Sequence, residues 1–358
     1  MKVNSEIIIN NKKIGLDHPT YFIADIAANH DGDLERAKAL IHEAADAGAD
    51  AAKFQHFSAE TIVSDYGFKQ LETGMSHQEN WEKSVYEVYE RASVSMDWTK
   101  SLIETCRSAQ IDFFTSPYSI ELVDKIDPFV PAYKVGSGDI TWLEIIRHMA
   151  SKGKPVLLAT GASNLQEVAE AVSAILERSR DIVLMQCNTN YTASLENFKY
   201  IQLNVLKTYS EMFPKIILGL SDHTPGHATA LGAVALGARM IEKHFTDDND
   251  RVGPDHRFAM NPQSWKEMVD RTRELENALG TGLKQVEENE KETVIVQRRA
   301  VRAVRALVKG DIINADNVEV LRPCPDFAIS PSSFSDIQGL RLRNSIPQGE
   351  VIRWIDLE

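Results

Sequence analysis

Short apolar segments alternate with helical patterns over most of this chain. Between residues 21 and 279 there are eight segments of strand type, each followed by a segment with the spacing of an amphipathic helix. Eight such repeats over about 260 residues match the usual size of a (β/α)8 barrel. A doubly wound open sheet is the alternative, but no GxGxxG motif follows the first strand. The sequence therefore predicts the α/β class and a TIM barrel.

Polar residues mark the ends of these predicted strands. A parallel barrel gathers the carboxyl ends of its strands at one mouth, where ligands bind. The strands are predicted at 21–28, 51–57, 112–117, 132–138, 155–161, 181–188, 216–223 and 240–245. The polar residues at or near their ends are Asp25, Asn29, His30, Lys53, Gln55, Thr115, Ser116, Lys134, Ser137, Asp139, Thr160, Asn188, Thr189, Tyr191, Ser221, Asp222, His223, Glu242, Lys243 and His244.

Two histidines end the last two predicted strands, His223 in GLSDH and His244 in IEKHF. Two imidazole side chains at the same end of the barrel can form a divalent-metal site. Either histidine alone is as well explained as a hydrogen-bonded core residue. The pair, with Asp222 beside the first histidine, favours a metal site.

Three lysines lie within apolar predicted strands. An ammonium group in such a place is costly unless it meets an anion. Together with nearby hydroxyls and the GSG turn at 136–138, the lysines indicate a site for phosphate or carboxylate. The alternative, for any one of them, is a structural ion pair with a neighbouring Asp or Glu. These lysines are Lys53, Lys134 and Lys243.

The residues alone predict a barrel enzyme with an anionic substrate and a divalent metal. They contain no redox cofactor motif. They leave the reaction open among an aldol-type condensation, an isomerisation and a metal-assisted hydrolysis.

The long polar, aromatic-rich stretch 58–92 interrupts the strand–helix alternation. We interpret it as a mobile insert over the site. A plain surface excursion is an equally good interpretation.

Composition shifts after Gly282, and a second domain follows. We predict a barrel domain at 1–284, which opens with a hairpin at 1–20, then a linker at 285–298. Short β runs and turns then predict a small, mostly β domain at 299–358. Because its basic residues oppose an acidic remainder, this domain is expected to dock on the barrel or on a partner chain.

The formal net charge of −13 argues against nucleic acid or an anionic membrane surface as a partner. Three widely spaced cysteines without a CxxC motif indicate reduced thiols in a cytoplasm. No signal peptide is evident, and no apolar run is long enough for a membrane span.

Several motifs, in this order along the chain, resemble those of the sialic acid synthase family. They are FIADIAANHDGDLERAK, GADAAKFQ, FFTSPY, AYKVGSGD, LLATG, GLSDHT, GAVALGA and EKHFTDD followed by RVGPDH and MNP. The segments LVKGDIINADNVEVLRP and IPQGEVI resemble the antifreeze-like (SAF) domain of that family.

The resemblance implies condensation of phosphoenolpyruvate with an N-acyl hexosamine such as N-acetylmannosamine. It implies cleavage of the C–O bond, with water attacking C2 of phosphoenolpyruvate after C3 adds to the sugar aldehyde. It also implies a divalent metal, Mn²⁺ or Mg²⁺, on His223 and His244. A head-to-tail swapped homodimer is implied as well, in which Arg322 reaches the partner subunit's site.

By the same resemblance, the catalytic residues are Asp25, Lys53, Asp139, His223 and His244. Phosphoenolpyruvate contacts are implied for Lys53, Lys134, Ser116, Ser137 and Ser221. Sugar-side contacts are implied for Thr189 and Tyr191. Further substrate contacts are expected from Gln55, Thr160, Asp255 and Arg322.

The chain also departs from the family pattern. Asp25 and Asp139 stand where Glu is common, and Ala159 stands where Ser is common. The segments NTNYT and RPCPDFAIS replace more usual turns. Because these changes gather towards the sugar side, we expect an acceptor other than N-acetylmannosamine. The leading variant is a 2,4-diacetamido-trideoxyhexose, which would give a legionaminic- or pseudaminic-type acid.

Two other functions stay open at this point. One is a non-catalytic protein that binds a sugar phosphate on the same barrel. The other is a metal-dependent aldolase that uses pyruvate and needs no phosphate site.

Overall fold

The computed structural model describes residues 3–71, 81 and 83–358. Chain contacts divide the protein into two compact units, Met1–Gly280 and Thr281–Glu358. Within the described residues, no helix is both long enough and apolar enough to cross a membrane.

Eight parallel strands of the first unit form a nearly closed barrel, which confirms the (β/α)8 prediction. The hydrogen-bonded order is β5-β4-β3-β10-β9-β8-β7-β6, and the two end strands of this order contact each other. A hairpin of strands β1 (Glu6–Ile9) and β2 (Lys12–Gly15) precedes the barrel. The barrel strands are β3 (Tyr21–Asp25), β4 (Ala51–His56), β5 (Asp112–Pro117), β6 (Tyr133–Val135), β7 (Val156–Ala159), β8 (Ile182–Cys187), β9 (Ile217–Asp222) and β10 (Ala238–His244).

Helices follow the strands and begin at capping residues that the sequence supplies. Asp33 caps the first helix by accepting from the backbone N–H groups of Glu35 and Arg36. Asn164 and Asn261 close capping boxes at later helices. The helices are α1 (Leu34–Asp46), α2 (Ala59–Ile62), α3 (Asp65–Gln70), α4 (Val85–Ala92), α5 (Thr99–Ser108), α6 (Ile120–Ile126), α7 (Leu143–Ala150), α8 (Leu165–Leu176), α9 (Val205–Met212), α10 (Ala228–Ala235) and α11 (Pro262–Leu279).

The barrel interior is layered from apolar to polar. Side chains alternate between the two faces of a strand, so every second residue points inward. The lower inward layer is apolar and is closed by isoleucines of the hairpin. Its members are Ile7, Ile9, Ile14, Tyr21, Ile23, Ala51, Phe114, Ala132, Leu157, Val183, Met185, Ile217 and Met240. The polar inward residues lie above this layer, at the carboxyl ends of the strands.

Gly219→Ala is expected to destabilise the barrel by about 1–3 kcal/mol through overpacking. A methyl group there would lie 2.9 Å from Cγ of Met185 and 2.9 Å from the Met240 carbonyl oxygen, and the carbonyl cannot move aside cheaply. The measurement is the free energy of unfolding from urea titration. Gly138→Ala is the matched control, because a methyl group there meets nothing within 4 Å. Equal stabilities for the two variants would contradict the packing described here.

The second unit is small and mostly β, as predicted. It contains α12 (Lys291–Gln297), β11 (Ala300–Ala303), β12 (Val318–Leu321) and α13 (Phe334–Ile337), and β11 pairs antiparallel with β12. Isolated bridges such as Leu307 with Ile346 join its loops. Its own core consists of Val301, Ala303, Leu307, Ile313, Val318, Ile329, Ile337, Leu342, Ile346, Ile352 and Leu357.

Candidate active site

A cavity of about 380 Å³ opens at the carboxyl ends of the barrel strands. Most of the side chains predicted for the site line it. They are Asp25, Lys53, Gln55, Ser116, Lys134, Ser137, Asp139, Tyr191, Ser221, His223, His244 and Asp255. The functional roles assigned to these residues stay predictions, since the geometry by itself gives their positions and not their chemistry.

A buried charge cluster forms the floor of the cavity. Nζ of Lys53 lies 2.6 Å from Oδ2 of Asp25 and 3.8 Å from Oε1 of Glu242, and Nζ of Lys134 lies 3.4 Å from the same Glu242 oxygen. Burial alone would lower the pKa of Lys53, but Asp25 and Glu242 outweigh it and raise that pKa. The Lys53 ammonium is therefore held in its charged form.

Two buried polar atoms at this floor have no hydrogen-bond partner within the described residues. They are Oγ of Ser116 and Oε2 of Glu242. Buried polar groups are almost always satisfied, so orphan atoms in a cavity point to a ligand that completes them. A hydroxyl beside two lysines is suited to an anionic oxygen.

The two histidines stand together at the mouth, with ring centroids 5.3 Å apart. Aromatic rings hold them in place: Tyr191 lies 4.4 Å from the His223 centroid and Phe258 lies 4.8 Å from that of His244. Nδ1 of His223 lies 2.8 Å from the Asn188 carbonyl oxygen, to which it donates as N–H. Burial lowers the pKa of His223, but hydrogen bonds with the Cys187 side chain and the Asn188 backbone outweigh it and raise that pKa.

His244 is suited to ligand binding by its protonation state. Burial, then the neighbouring His223 and Lys53, hold its pKa well below the ordinary value, so the ring is neutral. Its Nδ1 has no hydrogen-bond partner among the described residues. The nearest carboxylate oxygens are Oδ2 of Asp255, 3.8 Å from Nδ1, and Oδ2 of Asp25, 3.7 Å from Nε2.

These observations fit a divalent metal held by two imidazoles. In the described part of the chain no group of three or more His, Cys, Asp or Glu side chains is placed to hold a metal ion. Metal binding by His223 and His244 stays a prediction.

Two further carboxyl groups of the cavity have raised pKa values. Burial raises the pKa of Asp139 to about 6, with Lys134 opposing the shift. Burial also raises the pKa of Asp255 to about 6, although a hydrogen bond from the Ala28 backbone opposes this, and Asp25 adds to the rise. Carboxyl groups that titrate in this range are suited to proton transfer near neutral pH.

Lys243 does not belong to the anion site, which corrects one of the three lysine predictions. Its Nζ donates to Oδ2 of Asp222 and to the Thr224 carbonyl oxygen, and both partners are buried. The reason is strand alternation: Glu242 and His244 point into the barrel, so Lys243 points outward. Asp222 points outward for the same reason, and the expectation that it supports the metal pair was wrong.

Thr160 and Thr189 were predicted to contact substrate, but neither lines the cavity. The Thr160 hydroxyl donates to the Met185 carbonyl oxygen and accepts from the Tyr209 hydroxyl of α9, so it faces the helix layer. Thr189 packs beside Gly161, where an added methyl group would lie 2.6 Å from its Cγ2.

Asn29 and His30 do not line the cavity. Nδ2 of Asn29 donates to the Phe245 carbonyl oxygen, and the buried His30 ring packs edge-on against Trp98 at 5.5 Å. Arg322 lies in the second unit, where its Nε donates to the Gln297 carbonyl oxygen at 2.6 Å. Its predicted role in a partner's site stays a prediction.

Sequence reasoning gave no role in the site to two inward residues. Glu242 was named only among the polar residues at the strand ends, although it shares the inward face of β10 with His244. Cys187 lines the cavity beside His223, which lowers the pKa of this thiol against the opposing effect of burial. The signal for both was the two-residue period, counted from a residue already known to point inward.

Part of the 58–92 stretch forms one wall of the cavity. Aromatic and aliphatic side chains of this wall face the polar floor. They are Ile62, Trp81, Val88, Tyr89 and Ala92, and Phe57, which directly precedes the stretch, extends the same wall. Residues 72–80 and 82 lie outside the described residues, so the expected mobility of the insert stays a prediction.

Two family models match the chain. A model described as the NeuB family matches residues 40–284, and one described as the SAF domain matches residues 298–358. The chain belongs to the NeuB family, that of the sialic acid synthases, and carries a SAF domain. This confirms the resemblance drawn from its motifs.

Relatives cover nearly the whole chain. An N,N'-diacetyllegionaminic acid synthase of Legionella pneumophila is 34% identical over 98% of this chain and 99% of its own length. A protein of the same name from Campylobacter jejuni is 33% identical over 93% of this chain and 99% of its own. The solved N-acetylneuraminic acid synthetase of Leptospira borgpetersenii has 28% identity and a TM-score of 0.71, covering 82% of this chain and 96% of that one.

Proposed function

We propose that this protein is a nonulosonic acid synthase. It condenses phosphoenolpyruvate with an N-acyl hexosamine and water to give a nine-carbon 2-keto acid and inorganic phosphate. The observation that carries the proposal is one cavity in which buried Lys53 and Lys134 lie beneath the His223–His244 pair. The names of its relatives support the same reaction class.

The bonds of this reaction balance without a redox partner. C3 of phosphoenolpyruvate forms a bond to the aldehyde carbon of the open-chain sugar, whose oxygen takes up a proton. Water adds to C2 and loses a proton. The bond between C2 and the bridging oxygen then breaks, the remaining hydroxyl proton on C2 transfers to the departing phosphate, and C2 becomes the ketone.

The residues at the floor bind and orient the anionic substrate. Lys53 and Lys134 place two ammonium groups against the phosphate and carboxylate. The Ser116 hydroxyl, which has no hydrogen-bond partner among the described residues, adds a donor. The fixed charges act in a site that excludes most water, so they require little rearrangement during the reaction. Ser137 and Ser221, which line the same cavity, offer further hydroxyls.

Groups nearer the mouth bind the sugar and take part in proton transfer. Asp139 and Asp255, with pKa values of about 6, can accept sugar hydroxyls as carboxylates or hold a proton close to the reacting oxygens. Tyr191 and Gln55 line the same part of the cavity. We also propose Mn²⁺ or Mg²⁺ on His223 and His244; when bound, it would polarise the aldehyde oxygen and activate or position water.

We propose a 2,4-diacetamido-trideoxyhexose as the acceptor. Such a sugar has two acetamido methyl groups and a deoxy carbon, and the cavity offers Phe57, Tyr89 and Val88 as an apolar wall. Asp25 is already engaged with Lys53, which leaves more room above it than the longer Glu would. The names of the two relatives with legionaminic acid activity support this choice.

We further propose the head-to-tail swapped homodimer that the resemblance implies. In its own unit, the Arg322 guanidinium uses Nε for the Gln297 carbonyl, and the described residues show no other hydrogen bond to this group. Its terminal nitrogens remain for an anionic or carbonyl group of a partner subunit's ligand. Sedimentation analysis of the purified protein measures this assembly directly.

Asp139→Asn is expected to make the acidic limb of the pH dependence of kcat/KM shallower. Burial raises the pKa of Asp139 to about 6, so its carboxylate is present only above that pH. Wild-type activity should therefore rise between about pH 5 and pH 7, and the variant has no such group to titrate. The measurement is kcat/KM across this range. If the acidic limbs of wild type and variant are identical, a group other than Asp139 causes the pH dependence of kcat/KM.

The test of the proposed function is phosphate release from phosphoenolpyruvate with Mn²⁺, across a panel of amino sugars. Chelator-sensitive release that requires one diacetamido sugar is the expected result. Strong preference for N-acetylmannosamine would overturn the acceptor, and carbon–carbon bond formation from pyruvate without phosphate release would indicate the aldolase. A folded protein that releases no phosphate with any sugar would indicate a binding protein.

A further inference from the structure

A second cavity of about 870 Å³ lies outside the first and continues from it. The two cavities share lining residues from the loop after β3, from helix α4 and the segment before it, and from the loop after β10. The shared residues are Ala28, Trp81, Val88, Ala92 and Pro254. We call this outer cavity the vestibule.

The vestibule is cationic although the chain as a whole is acidic, with a formal net charge of −13. Two carboxylates, Asp31 and Asp250, also line it. Four cationic side chains outnumber them: Lys83, Arg91, Arg251 and Arg257. A cleft with this local excess attracts anions against the overall field of the protein.

The loop after β10 that carries two of these arginines is held in place. Nε and Nη2 of Arg251 lie 3.0 and 2.6 Å from Oδ2 of Asp31. The other Asp31 oxygen is 3.0 Å from Nε2 of His256, whose Nδ1 bonds to the Thr246 hydroxyl at 2.7 Å. His256 is fully buried, so the backbone next to Arg257 is anchored.

Arg91 and Arg257 have spare donors. Both are exposed side chains, and within the described residues neither guanidinium makes a hydrogen bond or an ion pair. Arg91 lies in the last turn of α4, whose first turn is fixed by a capping box between Ser84 and Glu87. Two unpaired guanidinium groups on anchored backbone form a suitable receptor for a tetrahedral dianion.

We propose that the vestibule is a second anion subsite, which binds a phosphate-class dianion at the entrance to the inner cavity. The identity of the phosphate carrier rests on the proposed function, but the binding itself does not. The dianion is either phosphoenolpyruvate on its way inward or inorganic phosphate on its way out. Both present the same oxygens to Arg91 and Arg257.

The first experiment is calorimetric titration of the metal-free protein with inorganic phosphate, which needs no turnover. Wild type should bind phosphate at the vestibule, and the double variant Arg91→Gln with Arg257→Gln should bind about tenfold or more weakly there. The control is Lys100→Gln with Arg107→Gln, which removes the same charge from exposed residues of α5 that line neither cavity. Equal isotherms for all three proteins would overturn the subsite. Equal weakening in both double variants would also overturn it, since bulk charge would then explain the effect.

Kinetics then identify the source of the dianion. If phosphoenolpyruvate binds on its way inward, kcat/KM for this substrate falls about tenfold at low salt in the vestibule variant, and the difference shrinks at high salt. If phosphate binds on its way out, kcat/KM is unchanged and product inhibition by phosphate weakens. Failure of the proposed function would leave the calorimetric result standing, so the two failures are distinguishable.

Discussion

His223→Ala and His244→Ala are each expected to lower kcat by at least about a thousandfold, a loss of about 4 kcal/mol in transition-state stabilisation. The two rings lie at the cavity mouth with centroids 5.3 Å apart, and Nδ1 of His244 has no hydrogen-bond partner among the described residues. If the proposed cation has only these two protein ligands, removal of either one should greatly weaken its binding. Added Mn²⁺ should therefore not restore activity.

The measurement combines turnover with a titration of Mn²⁺ and a circular dichroism spectrum. We expect each variant to retain the fold and to lose Mn²⁺ binding together with activity. His148→Ala is the control, because this partly exposed histidine on α7 pairs with Asp124, and neither residue lines the active-site cavity. Retained activity in both His223→Ala and His244→Ala would contradict the proposed metal site and would not affect the prediction of the barrel.

Lys53→Met is the second change with a large expected effect, and it acts on both stability and activity. Loss of the ammonium leaves Asp25 and Glu242 buried without their shared cation. Breaking a buried pair in this way typically costs about 3–5 kcal/mol of unfolding free energy. Loss of a substrate-binding charge should also lower kcat/KM for phosphoenolpyruvate about a thousandfold in the folded fraction.

Lys243→Met provides the matched control for this variant. Lys243 is an equally buried lysine in the barrel wall, but its partner is Asp222 and it does not line the cavity. We expect a similar loss of stability in urea titration and a kcat/KM that stays within about tenfold of wild type. Equal losses of activity in the two variants would contradict the assignment of Lys53 to the substrate site and of Lys243 to the barrel wall alone.

The barrel could be predicted from sequence because each strand and helix carries its own local pattern. Apolar runs predicted the positions of the strands, and capping residues such as Asp33 and Asn261 marked where helices begin. The cavity followed from one geometric fact, that parallel strands end at one mouth. His223, His244, Lys53 and Lys134 were placed there correctly for this reason.

The errors came from treating every residue near a strand end as part of the mouth. Lys243 and Thr160 face the helix layer, because adjacent residues of a strand point to opposite sides. Counting by twos from His244 would have excluded Lys243 and included Glu242. The same count along β8 would have found Cys187.

The aromatic wall could not be predicted by such rules. The stretch 58–92 has no strand or helix period that extends beyond its short helices, so its packing depends on contacts distant in sequence. Phe57 lies 5.4 Å from Tyr89 and 5.9 Å from Tyr118, and these pairs arise only once the barrel has formed. The secondary-structure propensities of individual residues do not predict such contacts.

The most direct test of the central claim follows the bridging oxygen of phosphoenolpyruvate. The substrate is labelled with ¹⁸O between C2 and phosphorus and is turned over with the accepted amino sugar. The proposed reaction breaks the C2–O bond, so mass spectrometry should find the label in inorganic phosphate and none in the nine-carbon product. Label retained at C2 of the product, or consumption of phosphoenolpyruvate that does not depend on the sugar, would contradict the proposed synthase reaction.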